Sequence, residues 1–186
     1  MRIPEGLRAR LAAVGLLALD VDGVLTEGHI IYSDAGGEAK AFHVRDGLGL
    51  RVAAAADLPV ALITGRASPV VERRARDLRI QHVLARVGDK AAALRTLAAE
   101  LGLPLGRVAF MGDDLNDREA MGLAGVSLAP ADAAPEVRDL ADLVTSAPGG
   151  RGAAREAVEA ILRAQGRWEQ AVDAYLAGLA DTGTDL

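Results

Sequence analysis

The sequence of 186 residues contains no cysteine. This absence excludes disulfide bonds, a thiolate nucleophile and a zinc site with cysteine ligands, and it fits a reducing compartment. The first 15 residues mix arginine with glutamate and lead directly into aspartates, which is not the pattern of a cleavable signal. We therefore expect a cytoplasmic protein whose chemistry rests on other side chains.

Aromatic residues are also scarce, at 3% of the chain, and the formal net charge is −5. Nucleic-acid-binding modules usually present a basic patch and often aromatic rings for stacking, so we expect no nucleic-acid partner. Every apolar run is interrupted well before the roughly 20 residues that span a bilayer, so we expect no membrane partner. The length suits one buried core, and we expect a single domain over residues 1–186.

Short apolar runs that end at polar residues predict buried parallel strands. The clearest are Leu16–Leu19, Val60–Ile63 and Arg107–Met111, with shorter runs at 83–84, 125–128 and 143–144. Stretches with helical spacing lie between and after them, at Leu48–Ala56, Pro69–Leu78, Lys90–Leu101, Asp117–Leu123, 153–165 and 168–179. This alternation of strand and helix predicts an α/β fold with a doubly wound parallel sheet.

One segment departs from this alternation. Residues His29–Ile31 and Ala39–Val44 alternate in polarity around a turn at Asp34–Gly37, which predicts a small β-hairpin over about residues 28–45. The hairpin would project from the sheet as a flap.

The first predicted strand ends at Asp20-Val-Asp-Gly, where two carboxylates precede a glycine that lets the backbone turn. Two aspartates at a strand end also occur by chance, but the glycine and the polar ends of the other strands favour a site at this edge. Asp20 is our candidate nucleophile, which would form a covalent phosphoryl intermediate. Asp22 is our candidate general acid and base.

Three further signals supply the positioning and charge neutralisation that phosphoryl transfer needs. Thr64 offers a hydroxyl at the end of the second strand, and Lys90 offers a compact positive charge at the start of a helix. The segment Gly112–Asp117 packs three carboxylates and an asparagine after the third strand, which suits an oxygen-seeking cation such as Mg²⁺. Taken alone, the threonine could simply end a strand and the lysine could be a solvated helix residue.

The order of these motifs, Asp-x-Asp-Gly, Thr-Gly-Arg, Lys and Gly-Asp-Asp-x-x-Asp, resembles the haloacid dehalogenase (HAD) superfamily of phosphatases. Within it, the chain resembles the capless 3-deoxy-D-manno-octulosonate 8-phosphate (KDO 8-phosphate) phosphatases. The stretches that carry this resemblance are Asp20–Thr26, Phe42–Gly47, Ile63–Arg66, Glu72–Arg74, Met111–Asp114, Gly149–Gly152 and Arg163–Gly166.

The resemblance implies hydrolysis of KDO 8-phosphate to KDO and phosphate, a step in lipopolysaccharide biosynthesis, with Mg²⁺ as cofactor. It implies that the metal is bound by the side chains of Asp20 and Asp113 and by the backbone carbonyl of Asp22. The substrate contacts that it implies are Asp22, His43, Val44, Arg45, Asp46, Gly47, Arg51, Arg66, Arg74 and Lys90. The arginines agree with a substrate that carries both a carboxylate and a phosphate, because their planar groups bind such oxyanions in pairs of hydrogen bonds.

The resemblance also implies a homotetramer. Only 43 residues separate Asp20 from Thr64, and 22 separate Lys90 from Asp113, which leaves no room for a cap domain. Capless relatives close their sites with neighbouring subunits, which the hairpin and the C-terminal tail would approach. The last ten residues, 177–186, lie beyond the part that carries the resemblance, and Asn116–Arg118 departs from the commoner hydrophobic and aromatic residues there.

Two alternatives stay open. A related nine-carbon, sialic-type sugar-acid phosphate would use the same motifs, and a non-catalytic oligomeric scaffold would share the fold. The complete set of Asp20, Asp22, Thr64, Lys90 and Asp113 favours an enzyme over a scaffold. A phosphotransferase or a mutase would share the nucleophile, but a mutase would normally need a cap.

Overall fold

The computed structural model describes residues 3–32, 34 and 37–182. Its strands are β1 (Leu16–Leu19), β2 (Ile31–Tyr32), β3 (Glu38–Ala39), β4 (Val60–Ile63), β5 (His82–Leu84), β6 (Val108–Met111), β7 (Val126–Ala129) and β8 (Leu143–Val144). Its helices are α1 (Glu5–Ala12), α2 (Val44–Ala55), α3 (Pro69–Asp77), α4 (Lys90–Glu100), α5 (Arg118–Leu123), α6 (Pro135–Leu140), α7 (Ala153–Ala164) and α8 (Trp168–Thr182). Two 3₁₀ turns, Leu105–Arg107 and Leu115–Asp117, precede β6 and α5.

Six strands form one parallel sheet in the order β5-β4-β1-β6-β7-β8. Strand β1 lies inside it, with Leu17 paired to Val60 of β4 and to Ala109 of β6. Since the strands run in the same direction, their carboxyl ends meet along one edge, where ligands bind in folds of this kind. The predicted α/β fold with a parallel sheet is confirmed.

Helices cover the sheet on both faces, which explains why its strands are continuous apolar runs. Successive side chains of β1 point to opposite faces. Leu17 and Leu19 join a core with α1, α2, α3, α7 and α8, whereas Leu16 and Ala18 join a core with α4, α5 and α6. The sheet is therefore doubly wound, as the sequence predicts.

Helix α2 begins at Val44, four residues before the predicted start at Leu48. The helical signal is weak in its first turns because Gly47 and Gly49 lie there, and glycine disfavours a helix. Both glycines contact arginine side chains of other helices so closely that a Cβ atom would clash. Packing against these arginines therefore outweighs the low helix propensity of the two glycines.

A small antiparallel hairpin is present, as predicted, but its strands contain only two residues each. Ile31 pairs with Ala39. The predicted second strand, Ala39–Val44, is too long, because the chain already enters helix α2 at Val44, and the predicted first strand, His29–Ile31, begins two residues before the observed one. Turn residues 33, 35 and 36 lie outside the described residues.

The sequence patterns miss two short helices, α1 and α6, and end α8 three residues early. Helix α1 buries only Leu7 and Leu11, so its apolar pattern is too sparse to be noticed. Its Arg10 pairs with Asp142 beside β8 at 2.5 Å. The last four residues of the predicted polar tail, 183–186, lie outside the described residues. Among the helices that are described, none is long and apolar enough to cross a membrane.

Candidate active site

The carboxyl ends of β1 and β4 bring Asp20 and Thr64 to the same edge of the sheet. Both residues continue the pattern of sheet hydrogen bonds: the Asp20 N–H donates to the carbonyl of Met111 and the Thr64 N–H to that of Leu84, each at 2.9 Å. Asp20 is 5% exposed and Thr64 is 2% exposed. The sheet therefore fixes the backbone of both residues and leaves little room for their side chains to move.

Lys90 is the first residue of α4, whose N-cap Asp89 accepts a hydrogen bond from the Ala92 N–H at 2.8 Å. Its Nζ lies 2.8 Å from Asp20 Oδ1 and 2.6 Å from Asp117 Oδ1. Burial alone would lower the pKa of Lys90, but the two carboxylates outweigh it and raise the pKa. The lysine is therefore held charged beside the candidate nucleophile.

Asp117 connects Lys90 to the loop that carries Asp113. Its Oδ1 accepts a hydrogen bond from Lys90, and its Oδ2 accepts the backbone N–H groups of Asp113 at 3.0 Å and Asp114 at 3.3 Å. Gly112 makes room for it, since a Cβ there would lie 2.3 Å from the Asp117 Cβ. The sequence pattern contains Asp117 but assigns it no role of its own. The signal that would have found it is the Asp-x-x-Asp spacing of a reciprocal helix cap, which Asp114 and Asp117 form.

Three carboxylates crowd at this edge, where Asp20, Asp113 and Asp117 each offer one oxygen within 4.8 Å of the others. Asp113 Oδ1 is buried without a hydrogen-bond partner among the described residues. Burial, followed by the charges of Asp20 and Asp117, raises the pKa of Asp113 to about 8. Burial and Asp117 also raise the pKa of Asp20 to about 6, against the opposing effect of Lys90. Further positive charge would stabilise this cluster in its ionised form.

These donors fit a hard divalent cation. All are carboxylate oxygens, the ligand type that Mg²⁺ prefers, and Asp113 offers a buried oxygen without a partner. Asp117 already uses both oxygens, so a cation would take its ligands from Asp20, Asp113 and the turn that follows Asp20. That turn is close: a Cβ on Gly23, whose φ is 99°, would lie 2.0 Å from Asp113 Oδ2.

The hairpin reaches the same edge through a chain of ion pairs. The Lys40 ammonium group contacts Asp22 Oδ1 and lies 2.9 Å from Glu38 Oε1. Glu38 Oε2 lies 3.5 Å from Arg66 Nη2, and the guanidinium group of Arg66 also interacts with the Tyr32 side chain. The sequence patterns single out neither Lys40 nor Glu38, because both belong to the flap and neither is part of a motif.

A glycine loop supports the turn after Asp20 from behind. The Gly149 N–H donates to Asp132 Oδ1 at 2.8 Å, and the Gly150 N–H donates to the carbonyl of Val24 at 2.9 Å. A Cβ on Gly149 would lie only 1.7 Å from the carbonyl oxygen of Gly23. Glycine is therefore required at 149 by close backbone approach.

Comparison with known proteins agrees with this geometry. The profile of haloacid dehalogenase-like hydrolases matches residues 79–155. The 3-deoxy-D-manno-octulosonate 8-phosphate phosphatase KdsC of Escherichia coli is 44% identical over 169 residues, which cover 91% of this chain and 90% of that protein. The chain belongs to the KDO 8-phosphate phosphatase family.

Solved structures of the KDO 8-phosphate phosphatase family share the fold. The crystal structure of the Yersinia pestis enzyme has a TM-score of 0.87 at 43% identity and covers 89% of each chain. The enzyme of Moraxella catarrhalis, crystallised in complex with a magnesium ion, a phosphate ion and a KDO molecule, has a TM-score of 0.88 at 39% identity. That comparison covers 91% of this chain and 98% of the other.

The predicted substrate contacts of this member of the KDO 8-phosphate phosphatase family fall into two groups and one outlier. The first group lies beside the carboxylates: Lys90 contacts Asp20, and Asp22 is linked to Arg66 by the ion pairs of the hairpin. Thr64, a predicted catalytic residue, lies here as well, since its Oγ1 accepts the Arg66 N–H at 3.3 Å. These residues are brought together as the sequence predicts.

The second group is the first turn of α2, residues His43–Gly47, together with Arg74. His43 caps the helix, since its Nδ1 accepts the Arg45 N–H at 3.1 Å, and Val44 is 80% exposed. The Arg74 guanidinium carbon lies 5.6 Å from the centre of the Phe42 ring and its nitrogen packs on Gly47. This group therefore brings Arg74 of α3 against the first turn of α2, which directly follows the hairpin in the chain.

Asp46 and the outlier, Arg51, make contacts within the fold. Asp46 is 2% exposed, and its two oxygens accept the N–H groups of Gly152 and Arg155, each at 3.0 Å. Arg51 Nη1 donates to the carbonyl of Asp77 at 3.3 Å, at the end of α3 that lies away from the carboxylates. A direct substrate contact of either residue stays a prediction.

A cavity of about 640 Å³ lies at the opposite edge of the sheet. Two arginines line it, but both are engaged by helix ends: Arg107 Nε donates to the carbonyl of Ala13 at 3.0 Å, and Arg167 donates to that of Ala56. These cations stabilise the ends of α1 and α2, so we assign no ligand to this cavity.

Proposed function

We propose that this chain hydrolyses KDO 8-phosphate to KDO and inorganic phosphate. The observation that carries the proposal is the similarity to the Moraxella catarrhalis enzyme, whose complex holds magnesium, phosphate and KDO and which matches 91% of this chain. The groups that this reaction needs are present here, because the carboxylates of Asp20, Asp113 and Asp117 lie close together at the edge of the sheet and Lys90 contacts Asp20.

The proposed reaction has two steps. In the first, an oxygen of Asp20 forms a bond to phosphorus, the bond from phosphorus to the sugar oxygen breaks, and Asp22 gives its proton to that oxygen. In the second, water attacks the aspartyl phosphate and gives a proton to Asp22, the bond between Asp20 and phosphorus breaks, and phosphate leaves. Lys90 neutralises charge on Asp20 and on the phosphoryl oxygens, and Thr64 donates a hydrogen bond to one of them.

Mg²⁺ would be bound by the side chains of Asp20 and Asp113 and the backbone carbonyl of Asp22. When bound, it supplies positive charge to the nucleophile and to the phosphoryl group. The raised pKa of Asp113 and its unpaired Oδ1 support a site that a cation completes.

The sugar-acid part of the substrate would be bound by Arg66, Arg74 and the first turn of α2, through His43, Val44, Arg45 and Gly47. Arginine binds a carboxylate through two parallel hydrogen bonds, which suits this substrate. Arg51 and the carboxylate of Asp46 would support substrate binding by fixing the position of α2, since their contacts lie within the fold.

A panel of substrates tests the assignment. We expect Mg²⁺-dependent phosphate release from KDO 8-phosphate to exceed that from nine-carbon sugar-acid phosphates and from hexose phosphates, and EDTA to abolish it. A preference for a nine-carbon acid would change the substrate and keep the mechanism. No Mg²⁺-dependent release from any of them would contradict the proposal and favour a non-catalytic scaffold.

The nucleophile has its own control. Asp20→Asn keeps nearly the same volume and removes the attacking carboxylate, so we expect turnover to fall by at least about 10³-fold, which corresponds to roughly 4 kcal/mol of barrier. Far-ultraviolet circular dichroism should be unchanged. Activity close to that of the wild type would refute the aspartyl-phosphate mechanism.

We further propose that the protein is a cytoplasmic homotetramer that acts in lipopolysaccharide biosynthesis. Three consecutive hairpin residues, Ile30, Ile31 and Tyr32, expose 43%, 50% and 73% of their surface, and large apolar side chains exposed close together are typical of an interface. A neighbouring subunit that packs on the hairpin would cover these side chains and close the capless site. Light scattering should give four times the 19.2 kDa of one chain; a monomer would contradict the tetramer.

A further inference from the structure

Lysine is rare in this chain. Of the 21 lysine and arginine residues, only Lys40 and Lys90 are lysines. Both contact an aspartate of the same motif: Lys90 contacts Asp20, and Lys40 contacts Asp22. An ammonium group is a compact charge, whereas a guanidinium group is planar and spreads its charge. A chain that otherwise uses arginine therefore places a compact cation beside each of its two catalytic aspartates.

Lys40 is held in place from two sides. Its side chain has no exposed surface, and its ammonium group lies between Asp22 and Glu38. The hydrogen bonds that described side chains make to Asp22 all go to Oδ1: Lys40 contacts this atom, and Thr26 Oγ1 lies 3.5 Å from it. Among the described side chains, none donates a hydrogen bond to Asp22 Oδ2, so this oxygen can face the substrate.

We propose that Lys40 is the positioning residue of the general acid. By holding Oδ1, it orients Asp22 so that Oδ2 gives its proton to the leaving oxygen. Glu38 holds the other side of the ammonium group and keeps it at Asp22. The inference rests on the phosphatase mechanism proposed above, but not on the identity of the sugar acid.

The leaving group distinguishes this role from a general loss of activity. Phenolate has a basicity close to that of the tyrosine side chain, with a pKa of about 10, so phenyl phosphate needs a proton donor as its bond to phosphorus breaks. The 4-nitrophenolate ion is a much weaker base and leaves without one. A defect in Asp22 positioning should therefore affect phenyl phosphate and spare 4-nitrophenyl phosphate.

The test compares kcat/KM for these two substrates in Lys40→Met, which removes the charge at similar length. This ratio reports the steps up to the formation of the aspartyl phosphate. We expect the variant to lose about 10 to 100 times more activity towards phenyl phosphate than towards 4-nitrophenyl phosphate, since general acid catalysis contributes about 10²–10⁴-fold. Lys40→Gln, which keeps a hydrogen-bond donor, should show a smaller difference and replaces Lys40→Met if that variant does not fold.

Two controls make the result specific. Arg151→Met removes a cation from an exposed ion pair with Glu27, which follows the turn after Asp20, at 3.0 Å. This variant should leave kcat/KM unchanged for both substrates. In an Asp22→Asn background, Lys40→Met should change kcat/KM for phenyl phosphate by less than about threefold, because two residues that act through one another are not additive.

Equal losses with both substrates, no loss with phenyl phosphate, or full additivity with Asp22→Asn would overturn the assignment of Lys40. A wild-type enzyme that hydrolyses both aryl phosphates but not KDO 8-phosphate would refute the proposed substrate and leave the test of Lys40 valid. A wild-type enzyme that hydrolyses neither the aryl phosphates nor KDO 8-phosphate would overturn both proposals.

Discussion

At the scale of single residues, the candidate active site at the edge of the sheet consists of charged side chains that form ion pairs with one another. Lys90 lies between Asp20 and Asp117, as Lys40 lies between Asp22 and Glu38. A buried charge without a partner is costly, so such pairing is expected. Asp113 is an exception among the described residues, because its Oδ1 is buried and unpaired. The protonation of Asp113 should therefore depend on a bound cation.

The affinity for Mg²⁺ should fall steeply as the pH is lowered. Without the cation, the pKa of Asp113 is about 8, so this carboxyl carries a proton at neutral pH, and the pKa of Asp20 is about 6. Mg²⁺ binds carboxylates and must displace these protons. We expect the dissociation constant to rise about tenfold per pH unit between about pH 8 and 6, and more steeply below, in calorimetric titrations.

The same shift contributes to the pH dependence of stability. The pKa of Asp113 lies above the ordinary value of 3.8, so this carboxyl is more fully protonated in the metal-free folded state than in the unfolded state between about pH 4 and 8. This carboxyl should therefore make the free energy of unfolding in EDTA fall as the pH rises through this window. In the Asp113→Asn variant, the free energy of unfolding should fall less over the same window. A Mg²⁺ affinity that is constant between pH 6 and 8 would contradict the raised pKa.

At the scale of elements, α2 and α7 are joined by a side chain that caps one helix from another. Both oxygens of Asp46, in α2, accept N–H groups at the start of α7, at Gly152 and Arg155. We expect Asp46→Ala to lower the free energy of unfolding by about 1–3 kcal/mol in urea denaturation, because it removes two hydrogen bonds from buried donors.

An exposed helical acid is the matched control for Asp46. Asp139→Ala, in α6, should change the free energy of unfolding by less than about 0.5 kcal/mol. If Asp46 served only to bind substrate, its replacement would leave the stability unchanged and raise KM alone.

Two residues after the end of each of the helices α2 and α3 lies a residue in the left-handed conformation that is not glycine. Asp57 has a φ of 49° and Arg79 one of 61°. A side chain in this conformation costs about 1–2 kcal/mol, and glycine is the usual residue there. We expect Asp57→Gly and Arg79→Gly each to raise the free energy of unfolding by about 0.5–1 kcal/mol in urea denaturation, since added freedom of the unfolded chain offsets part of the gain.

Glycine at a regular helical position should have the opposite effect. Ala54 is exposed in the last turn of α2, and Ala54→Gly should lower the free energy of unfolding by about 1 kcal/mol. Destabilisation by Asp57→Gly and Arg79→Gly as well would show that their side chains contribute more than the backbone strain costs.

At the scale of the whole molecule, the first and last helices, α1 and α8, pack on one core. Leu11 of α1, Leu50 of α2, Ile161 of α7 and Trp168 of α8 belong to the same apolar cluster on one face of the sheet. This arrangement favours a single domain over residues 1–186, and calorimetry should give one cooperative unfolding transition. Two separated transitions would contradict it.

Mg²⁺ should stabilise the folded state as a whole, because its proposed ligands, Asp20 and Asp113, come together only on folding. At a concentration 100 times its dissociation constant, it should add about 2.7 kcal/mol to the free energy of unfolding. Asp113→Asn should abolish most of this increment while keeping the single transition. An equal increment in that variant would place the cation elsewhere.

The sequence by itself determined the sheet and the edge on which the site lies. Buried parallel strands are short apolar runs, and each of the main runs is followed by its polar residue, as Leu16–Leu19 is by Asp20. Since parallel strands bring their carboxyl ends together, Asp20, Thr64 and the loop of Asp113 meet without further information. The haloacid dehalogenase motifs and the family resemblance rest on this local order.

Only the tertiary structure decided which side chains meet across that edge. Lys40 contacts Asp22, 18 positions away in the sequence, and Asp46 accepts a hydrogen bond from Gly152, 106 positions away. The residues that flank Lys40 and Asp46 in the sequence do not indicate these partners. The hairpin strands also proved shorter and helix α2 longer than the patterns predict. The physical reason is that periodicity encodes which face of an element is buried, whereas the pairing of charges depends on how the elements pack against one another.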